Sequence, residues 1–410
     1  MWFRLFLLFL ASSMALAQDW PRFRGPNGDG TWNPADLPAD LSHLHPRQLW
    51  KQEVGGGYGG VTVAAHRVYV MDRSTEGDEV ERILCFDEET GKLLWQHNYP
   101  VSYKELPYGS GPRASVTIHE GRAYAFGAMG MVTCLDAVTG ELRWQRDTVQ
   151  RYGAVVPTWG FAASPFIWKD KVLIHCGARP KGTIIALDLA TGTERWRAGD
   201  DPAGYCTPTV VENQGHSQLI QWSPESILSF DPETGTTLWR IPHKITYGVS
   251  IAQPIYKENL LFISSYWHGA RAIRLGPTPQ DAKLNWSEEK TLRGLMSQPL
   301  YRAGMLFMLD RNDGVIAFKL RTGEIQWKDN HQLTLKNQNP QMSMVWANEK
   351  ASIACCLNAS GELIFVRFGP DRMDEFSRHP IIEKTWAHPA FAGRCVFARS
   401  DKSLVAWELW

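Results

Sequence analysis

Residues 134–144 read CLDAVTGELRW, and close copies recur along most of the chain, at 85–95 (CFDEETGKLLW), 186–196 (ALDLATGTERW), 229–239 (SFDPETGTTLW) and 317–327 (AFKLRTGEIQW). Each copy is an apolar strand, a turn centred on Thr-Gly and a second strand ending in Trp. The turn glycine (Gly91, Gly140, Gly192, Gly235, Gly323) accepts the positive φ of a tight connection, and the polar residues before it can bond the turn backbone. The unit is a β-hairpin. Eight tryptophans, Trp50, Trp95, Trp144, Trp196, Trp239, Trp286, Trp327 and Trp386, stand 41 to 59 residues apart. A period of about 40–50 residues with several short strands predicts a β-propeller of four-stranded blades. Eight Trp predict eight blades.

The flanking chain completes the ring. After Trp386 there is room for three strands, near 389–391, 394–399 and 403–409, and a lone strand at 48–54 precedes the first full blade. The lone strand is therefore expected to close the ring as the outer strand of the last blade, hiding edges that would otherwise be unpaired. Ser164-Pro165, Thr207-Pro208, Gln253-Pro254, Gln298-Pro299 and His388-Pro389 mark inner strands, since Pro lacks a ladder donor and suits an edge facing the channel. Apolar runs at 68–71, 123–126, 171–175, 260–264 and 305–309 read as middle strands covered by neighbouring blades. In the fifth blade a longer Pro-containing loop replaces the Thr-Gly turn. The seventh is expected to run over 362–386 and turn at Gly369-Pro370-Asp371.

Lys plus Arg equals Asp plus Glu at 43 each, which excludes a global field that would favour nucleic acid or an anionic membrane. With 410 residues, 44% of them hydrophobic, the chain can build its core as one domain. Arg4, the apolar run 5–10 and Ala15-Leu16-Ala17 read as a secretory signal peptide over residues 1–17. The mature protein is expected in the periplasm or outside the cell, with an irregular lead segment at 18–47, the propeller at 48–410 and no membrane anchor after cleavage. No Cys stands near the cleavage site to accept a lipid. Seven Cys give no disulfide framework, and Cys85 and Cys134 share a repeat position with Ala186, Ser229 and Ala317, so they read as small buried residues.

The hallmark A-L-D-x-x-T-G-x-x-x-W resembles that of the PQQ-type, or quinoprotein-like, eight-bladed propellers, with Lys319 replacing the Asp in the last copy. The resemblance covers roughly residues 45–410. That family includes the propeller of the outer-membrane β-barrel assembly lipoprotein and many secreted PQQ-like proteins. The opening DWPRFRGPNGDG, residues 19–30, resembles theirs too and is expected to pack on the propeller's outside. It offers too few oxygens for calcium and reads as a turn.

Candidate binding residues precede successive inner strands: Tyr58-Gly59, Tyr108-Gly109, Trp159-Gly160, Gly204-Tyr205, Tyr247-Gly248 and Arg293-Gly294-Leu295. In a propeller these loops gather at one mouth of the channel, which predicts a funnel lined by Tyr58, Tyr108, Trp159, Tyr205 and Tyr247 and carrying Arg113, Arg293 and Arg311. Such a surface suits a planar, anionic or sugar-like ligand, or an aromatic anchor from a partner protein. The same aromatic-Gly pairs also serve as tight turns that pack blade on blade.

The resemblance implies an alternative chemistry, in which PQQ and calcium, with a catalytic carboxylate, oxidise alcohols or sugars, and a vicinal disulfide covers the quinone. Cys355-Cys356 is a vicinal pair, but it falls in 352–357, which reads as a strand whose neighbouring side chains point to opposite faces. Two small core residues are the expectation there. No set of Glu, Asn and Asp aligns with the mouth loops, and the 12 His are scattered without metal spacing. Asp310-Arg311-Asn312-Asp313-Gly314 reads as a hairpin turn. No nucleophile elbow or phosphate loop occurs. The expected function is a non-catalytic binding or scaffold module without cofactor, metal or catalytic residues. Its partner is a periplasmic or envelope protein, or a small ligand at the channel mouth, and the resemblance suggests envelope-protein assembly.

Overall fold

Each repeat folds around a turn held by its own side chains. Asp136 accepts the N–H of Val138 at 2.9 Å and of Thr139 at 3.0 Å, while Arg143 donates to its other oxygen at 2.8 Å. Arg143 above all, with these backbone donors, holds the Asp136 carboxyl down to about 2. Asp87, Asp188 and Asp231 hold their turns the same way. The computed structural model describes residues 19–103, 106–294, 296–336 and 339–410. The expected signal peptide at 1–17 and Leu295 lie outside the described residues.

The strands assemble into eight four-stranded antiparallel sheets in chain order, an eight-bladed β-propeller. In the first blade Thr62–Ala64 faces the channel, and Arg67–Ser74, Val80–Asp87 and Leu93–Pro100 follow outward. The eighth joins Ala390–Ala392, Cys395–Arg399 and Ser403–Glu408 to Arg47–Glu53, paired antiparallel from Arg47 opposite Glu408 to Glu53 opposite Ser403 with a register shift between Gln48 and Trp50. Ring closure by the early strand is as the sequence predicts. Among the described residues no helix is long and apolar enough to cross a membrane.

The repeat's Trp and Gly meet across blades. A Cβ on Gly140 would lie 2.7 Å from the indole of Trp95, and one on Gly91 2.5 Å from that of Trp50. The indoles of Trp50, Trp95, Trp144, Trp196 and Trp286 lie on the next blade's turn glycine, and four of the five donate to a carbonyl there: Trp50 to Glu88 at 2.8 Å, Trp95 to Ala137 at 3.2 Å, Trp144 to Leu189 at 3.0 Å and Trp286 to Leu320 at 2.9 Å. Where the fifth blade lacks the Thr-Gly turn, Trp239 instead donates to Gln218 of its own blade, at 3.0 Å. Trp386 is a correction to the eight-membered series. The seventh blade's outer strand is Met373–Pro380, Ser377 holds the Trp position opposite Phe365, and Trp386 lies beyond it at the channel mouth. The reason is local to the joint. The eighth blade is completed by an early strand, so it has no hairpin turn for a seventh-blade Trp to cover.

The lead segment is a second correction. It runs across the channel instead of along the outside. Trp20 bridges Val63 of the first blade, the N–H of Ile118 donates to Pro21, Arg22 lies over Phe166, Arg24 donates to Pro299, and Thr31 bridges Trp346. Trp20 and Trp32 are 2% and 1% exposed, and both pack on Phe391 of the eighth blade. Burying two indoles stabilises a segment with no regular structure of its own. It closes the channel at the end where the Thr-Gly hairpins turn.

Candidate functional site

At the opposite end the outer-to-inner connections and the turns between the two middle strands surround a cavity of about 550 Å³. Seven of the eight predicted residues line it: Tyr58, Tyr108, Arg113, Trp159, Tyr205, Tyr247 and Arg311. Arg293 does not. Its backbone is pinned between Asp310 and Arg311, at 2.6 Å and 2.8 Å, and its guanidinium turns back to the carbonyl of Glu289.

The rings form clusters. Trp386 sits between Tyr58 and Tyr108, with centroids 5.8 Å and 5.9 Å away, and Trp159 packs on Tyr205 at 5.7 Å. Tyr266 meets Trp267 edge to face at 4.7 Å, and Tyr247 stands 6.2 Å from Trp267. Tyr108 and Tyr247 hold φ of 53° and 58°, a left-handed backbone unfavourable for aromatic residues, and both are exposed at the rim.

Neither arginine in the cavity stands clear of the protein. Arg113 donates to the carbonyls of Gly111, Pro107 and Tyr108 and lies over Tyr58 and Tyr103; burial holds its pKa below the usual arginine value. Behind it, Glu81 accepts the hydroxyls of Tyr99 and Tyr103 and the N–H of Ala128, and burial pushes its carboxyl up. The Arg311 guanidinium lies 3.9 Å from the Tyr266 ring centre and 4.9 Å from that of Trp267.

The floor is of different character. Phe23 of the lead segment closes it, edge-on to His388 at 4.9 Å. Burial, with Arg24 nearby, lowers the His388 pKa to about 3, so its ring is neutral, and Nδ1 faces the Ser343 hydroxyl at 3.0 Å. Ser164, Thr207, Gln298 and Gln341, all more than nine-tenths buried, complete the base.

Sequence reasoning missed Phe23, Tyr266, Trp267, Trp386 and these floor residues as members of one site. The inner-strand Pro pairs already marked Ser164, Thr207, Gln298 and His388 by position. A calcium-held quinone does not match this donor set. Among the described residues no Asp or Glu lines the cavity, and no three His, Cys, Asp or Glu side chains gather where a metal could bind. Cys355 and Cys356 are unpaired and buried in the middle strand Ile353–Asn358, facing different cores: Cys355 packs in the cluster of Phe397, Cys356 in that of Phe307.

Fold and site together define a PQQ-type propeller with one channel end plugged and the other opened as an aromatic cup. The chain belongs to the family described as "Outer membrane protein assembly factor BamB", whose model matches residues 42–198, 79–329 and 223–409. It is 24% identical over 321 residues to the outer membrane protein assembly factor BamB of Moranella endobia, covering 71% of this chain and 74% of that protein. Among solved structures it is similar to BamB from Moraxella catarrhalis, with a TM-score of 0.62, 17% identity and coverage of 89% of this chain and 98% of that one. A europium-containing methanol dehydrogenase is similar in fold, with a TM-score of 0.69, 13% identity and coverage of 96% and 98%.

Proposed function

We propose that this protein is a non-catalytic binding module of outer-membrane protein assembly, working in the periplasm and engaging an envelope protein through the face around the cup. One observation carries the reading: Tyr108, Val155, Tyr247, Trp267 and Leu335, half of the exposed large apolar side chains among the described residues, all lie on connections at this end. Exposed apolar groups gathered around a cavity mark interaction surfaces. The assembly-factor relatives favour an envelope partner, and the cavity's lack of described carboxylates favours binding without calcium and quinone.

The test places a photo-crosslinking amino acid at Leu335 or Tyr247, and at Leu284 on an outer strand as control, in the native host. Crosslinks to one envelope protein from the two mouth positions and none from Leu284 are expected. Titrating the purified protein with PQQ and calcium, followed by a dye-linked assay on alcohols and sugars, is the opposing arm. Turnover abolished by chelation would overturn the reading in favour of a quinoprotein dehydrogenase.

A further inference from the structure

We infer that the cup holds a short saccharide, entering end-on, with its ring faces against the aromatic wall and its oxygens on the floor. The inference rests on the mouth being a binding face and names the chemistry of what lies inside it.

The floor carries the choice. The Ser164 hydroxyl accepts the N–H of Ser115 at 3.0 Å, Thr207 accepts that of Ser164 at 2.9 Å, and the Gln298 carbonyl oxygen accepts that of Gln253 at 2.8 Å. Each side chain thus spends an acceptor on the neighbouring blade. A hydroxyl keeps one donor hydrogen and an amide keeps two. Among the described residues, neither hydroxyl donates onward, and the buried Gln341 Nε2 has no acceptor at all. The base therefore presents donors from Ser164, Thr207 and Gln298, all shielded from bulk water.

A ligand for such a base must bring acceptor oxygens in several directions while offering flat apolar faces to the wall. A pyranose does both: its hydroxyl and ring oxygens accept, and its C–H faces pack on aromatic rings, whose faces are electron-rich. An aromatic side chain from a protein fits the wall and fails at the floor. Burying an apolar ring there leaves each donor unpaired, and an unsatisfied buried donor opposes binding. A planar polyanion needs several cations free to meet it; Arg113 already serves three backbone carbonyls, and Arg311 lies against the Tyr266 and Trp267 rings. The volume of about 550 Å³ lies within the usual range for small-ligand sites, about 300–1,000 Å³. Because Phe23 and the lead segment stop the channel, a chain end or a short oligomer fits, and a polymer threaded through the ring does not.

The experiment uses the full mature protein, with tryptophan fluorescence and saturation-transfer NMR. The probes are glucose, N-acetylglucosamine, the β-1,4-linked trimer of each, and trigalacturonate; a Trp-containing peptide and PQQ with calcium serve as rivals. Saturable binding of at least one saccharide is expected, weakened at least about tenfold by Trp386→Ala and by Gln298→Leu, as loss of a stacked ring or a floor donor requires. Arg293→Ala, outside the cup, should leave it unchanged, and circular dichroism shows whether each variant is folded. If Gln298→Leu does not fold, Thr207→Val is the second floor variant. Binding unaffected by folded floor variants overturns the proposal. No saccharide binding, with crosslinks from the mouth intact, overturns the saccharide alone and leaves the docking face standing. Peptide binding lost in Trp386→Ala, without saccharide binding, assigns the cup to a protein anchor. If neither crosslinks nor any ligand appear, both readings fall.

Discussion

Gly140 answers two demands at once. Its φ of 75° disfavours any side chain, and the Trp95 indole occupies the place a Cβ would take, 2.7 Å away. Gly140→Val should therefore cost about 2–4 kcal/mol, combining backbone strain with overpacking. Urea unfolding would check this, and an unchanged midpoint would contradict the stacking. The positive φ is legible from Thr-Gly at a tight turn. The second demand is not, because Trp95 belongs to the previous blade and no local pattern shows which ring will lie there. Trp386 exposes the same limit from the other side. Its spacing suits the series, and only the register of Met373–Pro380 shows that the indole belongs to the cup. Arg293 differs in kind: its position in the loop is as predicted, but its backbone ties turn the guanidinium away.

At the scale of elements, the hairpin is both the unit of the blade and the seat for the preceding one. Blades with a Thr-Gly turn receive an indole; the fifth, without one, leaves Trp239 bonded within its own blade. The early strand Arg47–Glu53 takes part in the same scheme, since Trp50 seats on Gly91 and donates to Glu88 at 2.8 Å. Trp50→Ala should thus weaken the eighth blade and its joint to the first together, by about 3–5 kcal/mol. Hydrogen exchange would show protection lost from both Arg47–Glu53 and Val80–Asp87; loss confined to the former would contradict the shared joint. The closing strand itself was readable from a strand count. Tyr266 and Trp267 were harder to see, because two aromatics in a turn between middle strands look like any loop until the ring sets that turn beside the inner-strand loops.

For the whole molecule, the plug makes the propeller a cup. Its partners, Val63, Pro299, Trp346 and Phe391, are spread over nearly the full chain, so an opening rich in Gly and Pro gives no local sign of where it docks. Buried Arg24, its pKa lowered to about 10 by desolvation, donates to Pro299 at 3.2 Å and ties the segment to the sixth blade. Trp32→Ala should lower stability by about 3–5 kcal/mol, although the residue belongs to no strand. Chemical denaturation of the variant measures it, and a loss below about 1 kcal/mol, the range of surface changes, would mean the plug is an appendage.

The ends of the propeller also determine how the molecule can be mounted. Asp19 bonds to Ala65 and Leu409 bonds to Arg394, both at turns on the hairpin side, opposite the cup. Attachment at Asp19 or at Leu409 therefore holds the plugged base. On a sensor chip or a bead, every copy held by either end would stand with its open mouth toward the solution.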